Sequence, residues 1–209
     1  MRFFTVPRLL QQGLPGFTWR GPAQDQVIYL TFDDGPIPDI TDFVLQALAS
    51  CQAKATFFCV GDNLRKHPDI ASRVALGGHR LGNHTFNHVK GWQTSVPDYL
   101  HNIALCEEAL QPFVAAGKPK LFRPPHGRMR RDQFRQLKAH YQVVMWEVLT
   151  YDFDARLPGA LCLEKAIRHT RPGSIVVFHD SLKASGNLQY VLPRYLAHFA
   201  SLGYRFETL

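Results

Sequence analysis

Short apolar runs alternate with amphipathic stretches along most of the chain, and this alternation restricts the fold more than any other feature of the sequence. The runs lie at Val27–Thr31, Ala55–Val60, His79–Asn83, Lys120–Arg123, Gln142–Trp146, Ser174–Phe178 and Tyr204–Glu207. Between them, residues 40–49, 68–76, 96–113, 131–140, 161–169 and 191–202 read as helices, with apolar side chains at helical spacing in the clearest of them. Strictly alternating strands and helices imply parallel strands, which need cover on both faces. Two architectures meet that demand, a doubly wound open sheet and a closed barrel. Seven units within residues 27–209 are few for an eight-stranded barrel. The expected α/β fold is therefore a distorted (β/α) barrel of about seven parallel strands with outer helices.

Residues 1–26, rich in Gly, Pro and Gln, read as an irregular lead-in to one domain spanning 27–209. A chain of 209 residues with 45% hydrophobic content has enough material for one sizeable core and is short for two. It contains no run of eighteen apolar residues, so no membrane span is expected. Pro7 interrupts the N-terminal segment before any apolar core develops, unlike a secretory signal, which points to the cytoplasm; a trimmed secreted precursor would read the same way. Cys51, Cys59, Cys106 and Cys162 sit in apolar patterns without a two-residue spacing, as buried thiols do. The formal charge of +7 suggests acidic partners. In the densest basic segment, Arg123–Lys138, only Phe134 is aromatic, which fits a solvated helix face better than a nucleic-acid surface.

The polar residues that interrupt the apolar pattern collect where the runs end. Asp33 and Asp34 follow the first run, His84 and His88 the third, and Arg123 and His126 the fourth. Asp152 follows the fifth, and His179 and Asp180 the sixth. In a parallel barrel those carboxyl ends share one face, so residues scattered along the sequence become one pocket. Adjacent carboxylates push their pKa values apart unless a cation holds one ionised, so one of the pair suits a metal and the other a proton. His84 and His88, four apart, would share one side of a helical turn. With Asp34 they form a two-histidine, one-carboxylate set with open positions. His67, His101, His140, His169 and His198 fall on predicted helices without partners and read as surface or structural residues.

Five segments carry a resemblance: Thr31-Phe32-Asp33-Asp34-Gly35-Pro36, Gly82-Asn83-His84-Thr85-Phe86-Asn87-His88, Arg123-Pro124-Pro125-His126-Gly127, Asp152-Phe153, and Ile175-Val176-Val177-Phe178-His179-Asp180. In order and approximate spacing they resemble the motifs of the polysaccharide deacetylases, carbohydrate esterases of family 4 that share the Nod-factor deacetylase homology domain. The resemblance runs from Val27 to the C-terminus. It implies a distorted barrel and metal-dependent removal of N-acetyl groups from an amino sugar in a peptidoglycan-like or chitin-like glycan.

Carried over by position, Asp34, His84 and His88 would bind one divalent metal ion, zinc by default, with cobalt, nickel or iron suiting the same donors. Asp33 would be the general base and His179 the general acid. Arg123 would tether Asp33, Asp152 would orient His179, and the His126 N–H would face the oxyanion. Val177 and Phe153 would wall the pocket. His126 stands where a tyrosine is usual and Phe153 where a tryptophan is usual, and both changes bear on sugar recognition.

Amide hydrolysis needs an activated water, a stabilised oxyanion and a proton for a poor leaving group, and these residue types can supply all three. The expected partner is an N-acetylated glycan rather than nucleic acid. A small non-sugar amide would use the same site. A non-catalytic glycan-binding domain would lack a ligand, base or acid, and here each is present.

Overall fold

Every residue from Val27 to Asp33 is buried, because the strand they form is covered on both faces. Ile28, Leu30 and Phe32 pack with the helix layer, and Val27 and Tyr29 cluster on the other side with Phe58, Val144 and Ile175. Strand periodicity then sets Thr31 and Asp33 on that inner face, so the end of the strand delivers a carboxylate into the barrel.

The computed structural model describes residues 2–23, 25–115 and 117–209. In chain order its elements are α1 (Arg8–Gly13), β1 (Phe17–Thr18), β2 (Val27–Asp33), α2 (Ile40–Ser50), β3 (Ala55–Cys59), α3 (Gly61–Lys66), α4 (Pro68–Leu76) and β4 (Arg80–Asn83). There follow α5 (Val96–Leu110), β5 (Leu121–Phe122), α6 (Arg131–Leu137), β6 (Gln142–Val144), β7 (Val148–Leu149), α7 (Gly159–His169), β8 (Ile175–His179), α8 (Ser185–Ser201) and β9 (Arg205–Phe206). The strands form a sheet in the order β1-β6-β5-β4-β3-β2-β8-β7, parallel at every pairing, with β9 beside the start of β2. This is the distorted (β/α) barrel that the alternation predicts.

The lead-in is not irregular. It contains α1 and β1, and β1 pairs with β6 in parallel register, Phe17 opposite Val143. Thr5 makes an antiparallel bridge to Val148 in β7, so one segment of chain lies against both β6 and β7. Two-residue strands have no period to read, and they exist because the sheet supplies their hydrogen bonds. The run read as Gln142–Trp146 likewise stops at Val144 and resumes as β7, so Asp152 follows β7 rather than β6. The last helix reads as residues 191–202 in the sequence. Packing of Leu188 and Val191 nevertheless starts α8 at Ser185, leaving Pro193 inside the helix.

All four cysteines are free thiols, with Cys59, Cys106 and Cys162 buried and Cys51 half-buried. Among the described residues no helix is long and apolar enough to cross a membrane.

At the opposite end of β8 from His179, the buried Glu147 carboxylate accepts from Arg20 Nη1 at 2.7 Å, from Ser174 Oγ at 2.8 Å and from Arg171 Nη2. This cluster fastens the lead-in to the barrel. Glu147→Ala leaves the two guanidinium groups without their shared acceptor, and an equilibrium urea titration should show a loss of about 1–3 kcal/mol.

Candidate metal and catalytic site

Arg123 is fully buried inside the barrel, and each of its three guanidinium nitrogens has an acceptor. Nη1 donates to Asp33 Oδ1 and to Thr31 Oγ1, both at 2.7 Å. Nη2 donates to the Met145 carbonyl at 2.8 Å and Nε to that of Val144 at 3.3 Å, while the ring of Phe58 lies 4.1 Å from the guanidinium carbon. Burial by itself would raise the Asp33 carboxyl, but Arg123, helped by His84 and His179, outweighs it and holds Asp33 below the usual carboxylate range. Asp33 is therefore ionised at neutral pH although it is almost completely buried.

The next residue, Asp34, has φ 87°, outside the range of a continuing strand, and this turns its side chain away from Asp33. Its Oδ1 lies 3.3 Å from His88 Nε2 and 3.8 Å from His84 Nε2. One ligand atom from each of Asp34, His84 and His88 falls within 4.8 Å of the others. His84 Nδ1 sits 2.7 Å from the Arg123 carbonyl and donates to it, which leaves the Nε2 lone pair facing Asp34. Burial, acting against Asp33, pushes His84 down to about 4, so the imidazole is neutral as a ligand requires. Two imidazole nitrogens and a carboxylate form a donor set that fits one divalent ion.

The His84–His88 segment is not a helical turn. Thr85 and His88 have φ 65° and 52°, and the loop is stitched by Asn102 Oδ1, which accepts from the N–H groups of Phe86 and Asn87 at 2.8 and 3.0 Å. A tertiary contact from α5 thus provides what the four-residue spacing assigned to helix geometry.

Asp33 and His179 are register partners on neighbouring strands, β2 and β8. Asp152 grips His179 twice, accepting from its backbone N–H at 2.7 Å and facing its Nδ1 at 2.8 Å. Burial would lower the imidazole, but Asp152, followed by Asp34 and Asp33, raises His179 to about 9. The ring of Phe153 stands edge-on to His179 with centroids 4.9 Å apart. Val177 is buried two residues earlier on the same strand face. His126 has φ 58°, and its ring meets His88 at 4.8 Å and Trp92 at 5.5 Å. Among the described residues no carbonyl accepts from the His126 N–H. Gly127 follows with φ 63°, and a Cβ there would strike the ring of Trp146, so the close approach requires glycine.

The sequence placed Asp180 at this face without giving it a function. Its carboxyl accepts from the Gly35 N–H at 3.0 Å and the Thr41 hydroxyl at 2.7 Å, and its N–H donates to the Asp33 carbonyl at 3.1 Å. It therefore locks the Asp33–Gly35 turn to the end of β8. Burial is the main reason its carboxyl is pushed up to about 8, with repulsion from Asp34 adding to it against the Thr41 hydrogen bond. Only the three-dimensional fold brings Gly35 to it, so no spacing in the sequence could have assigned the contact. Tyr151 and Trp92 are likewise recognisable at the site only once their neighbours are placed.

The sequence profile of the family described as polysaccharide deacetylase matches residues 20–145. The chain belongs to the polysaccharide deacetylase family. A relative within it, a peptidoglycan-N-acetylglucosamine deacetylase of Bacillus cereus, is 32% identical over 194 residues, covering 92% of this chain and 90% of the relative. A chitooligosaccharide deacetylase of Azorhizobium caulinodans is 32% identical over 154 residues, 73% of each chain. Among solved structures, that of a peptidoglycan N-acetylglucosamine deacetylase in complex with an N-oxidanyl-benzamide matches with a TM-score of 0.87 at 29% identity, covering 98% of this chain and 95% of the other. The likeness thus spans the barrel and the lead-in together.

Proposed function

We propose that this chain hydrolyses the N-acetyl group of an amino sugar within a glycan, releasing acetate and a free amine. The observation that carries the reading is the convergence at one end of the barrel of a His/His/Asp donor set, a carboxylate held ionised by Arg123 and a histidine favoured in its protonated form by Asp152. A divalent ion held by Asp34, His84 and His88, zinc by the donor chemistry, would acidify a water and polarise the acetyl carbonyl.

The chain's own residues account for the proton traffic. Asp33 accepts the proton that the attacking water gives up. The His126 N–H, with no carbonyl partner, donates to the acetyl oxygen as it gains negative charge. His179 gives its Nε2 proton to the sugar nitrogen as the C–N bond breaks, and Asp152 holds Nδ1 and stabilises the imidazolium before transfer. Val177 and Phe153 wall the acetyl pocket. The peptidoglycan and chitooligosaccharide activities named for the relatives support an N-acetylated glycan as the substrate class.

The test is acetate release from N-acetylglucosamine oligomers, peptidoglycan fragments and small acetamides, before and after chelation and after readdition of zinc. Activity should be confined to the glycans, vanish on chelation and return with the ion. Elemental analysis should find one ion per chain, lost when Asp34, His84 and His88 are all changed to Ala. A stoichiometric metal retained by that triple variant would refute the ligand assignment, and exclusive hydrolysis of small acetamides would refute the glycan substrate.

A further inference from the structure

We propose that residues 2–6 of the lead-in are a positioning device for the acid side of the site, acting through Tyr151 on the Asp152–His179 pair. The inference rests on the functional reading above, in which His179 is the leaving-group acid.

Tyr151 has φ 60°, a left-handed conformation that a bulky L residue keeps only when its surroundings enforce it. Those surroundings are the lead-in. The Tyr151 hydroxyl accepts from the Phe3 N–H at 3.1 Å and donates to the Phe3 carbonyl at 3.3 Å, and its ring meets Phe4 edge-on at 5.0 Å. On either side of Thr5, the Phe4 carbonyl accepts from the Leu149 N–H at 3.0 Å, and the Val6 N–H donates to the Glu147 carbonyl at 3.1 Å. Beyond the turn, Arg2 Nη2 reaches Asp154 Oδ2 at 2.6 Å. The strap therefore holds the 151–154 loop at both of its ends.

The residues between those ends face the chemistry. The left-handed turn at Tyr151 leads directly into Asp152, whose two oxygens take the N–H and the Nδ1 side of His179, and then into Phe153 against the imidazole. From the opposite side Asn187 Nδ2 holds the carbonyls of Asp152, Asp154 and Leu157 at 3.2, 3.3 and 3.1 Å. Asn187 anchors the loop backbone at those three carbonyls, whereas keeping the turn left-handed needs a hold on the Tyr151 side chain. That restraint comes from Phe3 and Phe4, which lie in a segment more than 140 residues away in sequence.

Tyr151→Phe removes the paired hydrogen bonds while keeping the ring, and Phe4→Ala removes the ring contact from the strap itself. Each variant is assayed, with its zinc, on an N-acetylated glycan oligomer and on 4-nitrophenyl acetate, whose leaving group needs little protonation. We expect kcat on the glycan to fall about tenfold with KM and metal content held, and the ester rate to stay within about twofold. Proton NMR of the His179 Nδ1 hydrogen, assigned by its absence from His179→Ala, should show it broadened by faster exchange with water in both variants. Equal proportional losses on the two substrates, or no loss at all with an unchanged resonance, would overturn the positioning role. If the parent protein deacetylates no glycan, the functional reading fails instead, and the NMR comparison alone decides whether the strap holds the His179–Asp152 pair.

Discussion

Asp33→Asn is expected to lower turnover of an N-acetylated glycan by about 10²–10⁴ with metal content unchanged, whereas Asp34→Asn is expected to lose the ion. The two side chains differ by one position in the chain and by everything that surrounds them. Asp33 points into the barrel, is 4% exposed, and is neutralised by Arg123 at 2.7 Å. Asp34, turned outward by its backbone, faces His84 and His88. An Asn at 33 still offers Arg123 an acceptor oxygen but cannot take a proton from water. It also leaves a buried guanidinium uncompensated, so circular dichroism and elemental analysis must accompany the assay. Loss of metal in Asp33→Asn with retention in Asp34→Asn would exchange the two roles.

His179→Ala should depress kcat on the same amide by about 10²–10⁴, again with metal retained, and should cost an activated acetyl ester far less. The acid works only while protonated. Because Asp152 and the neighbouring carboxylates raise His179 to about 9 against its burial, the rate should persist through neutral pH and fall as pH rises past about 9. Asp152→Asn removes the largest of those charges, so the alkaline limb of the pH–rate profile should move toward lower pH. On the acidic side Asp33 must be ionised, and its depressed pKa keeps it so well below neutrality. An alkaline limb unmoved by Asp152→Asn, or equal losses on amide and ester in His179→Ala, would remove His179 from the role of acid.

Much of the site was legible because barrel topology converts sequence order into geometry. Any residue just past a buried parallel strand must emerge at one face, so Asp33, Asp34, His84, His88, Arg123 and His179 could be gathered into a pocket before any distance was known. Residues identified by what touches them were not legible in this way. Asp180 is an ordinary Asp until Gly35 and Thr41 are brought to it, and Tyr151 is an ordinary Tyr until Phe3 and Phe4 enforce its turn.

The apolar alternation by itself determined a parallel α/β fold with one chemically loaded end, and the number of units favoured a barrel over an open sheet, because burial of side chains along strands and helices is a local property of the chain. Tertiary structure alone decided how that end is held. The left-handed backbone at Asp34, Thr85, His88, His126 and Tyr151 has no period, and non-glycine residues adopt it only when distant contacts outweigh its cost. The same holds for the lead-in, whose two-residue strand and isolated antiparallel bridges at Thr5 and Arg20 are too short to leave a pattern in the sequence. They form because β6, β7 and Ser174 offer unpaired backbone groups that another part of the chain must satisfy.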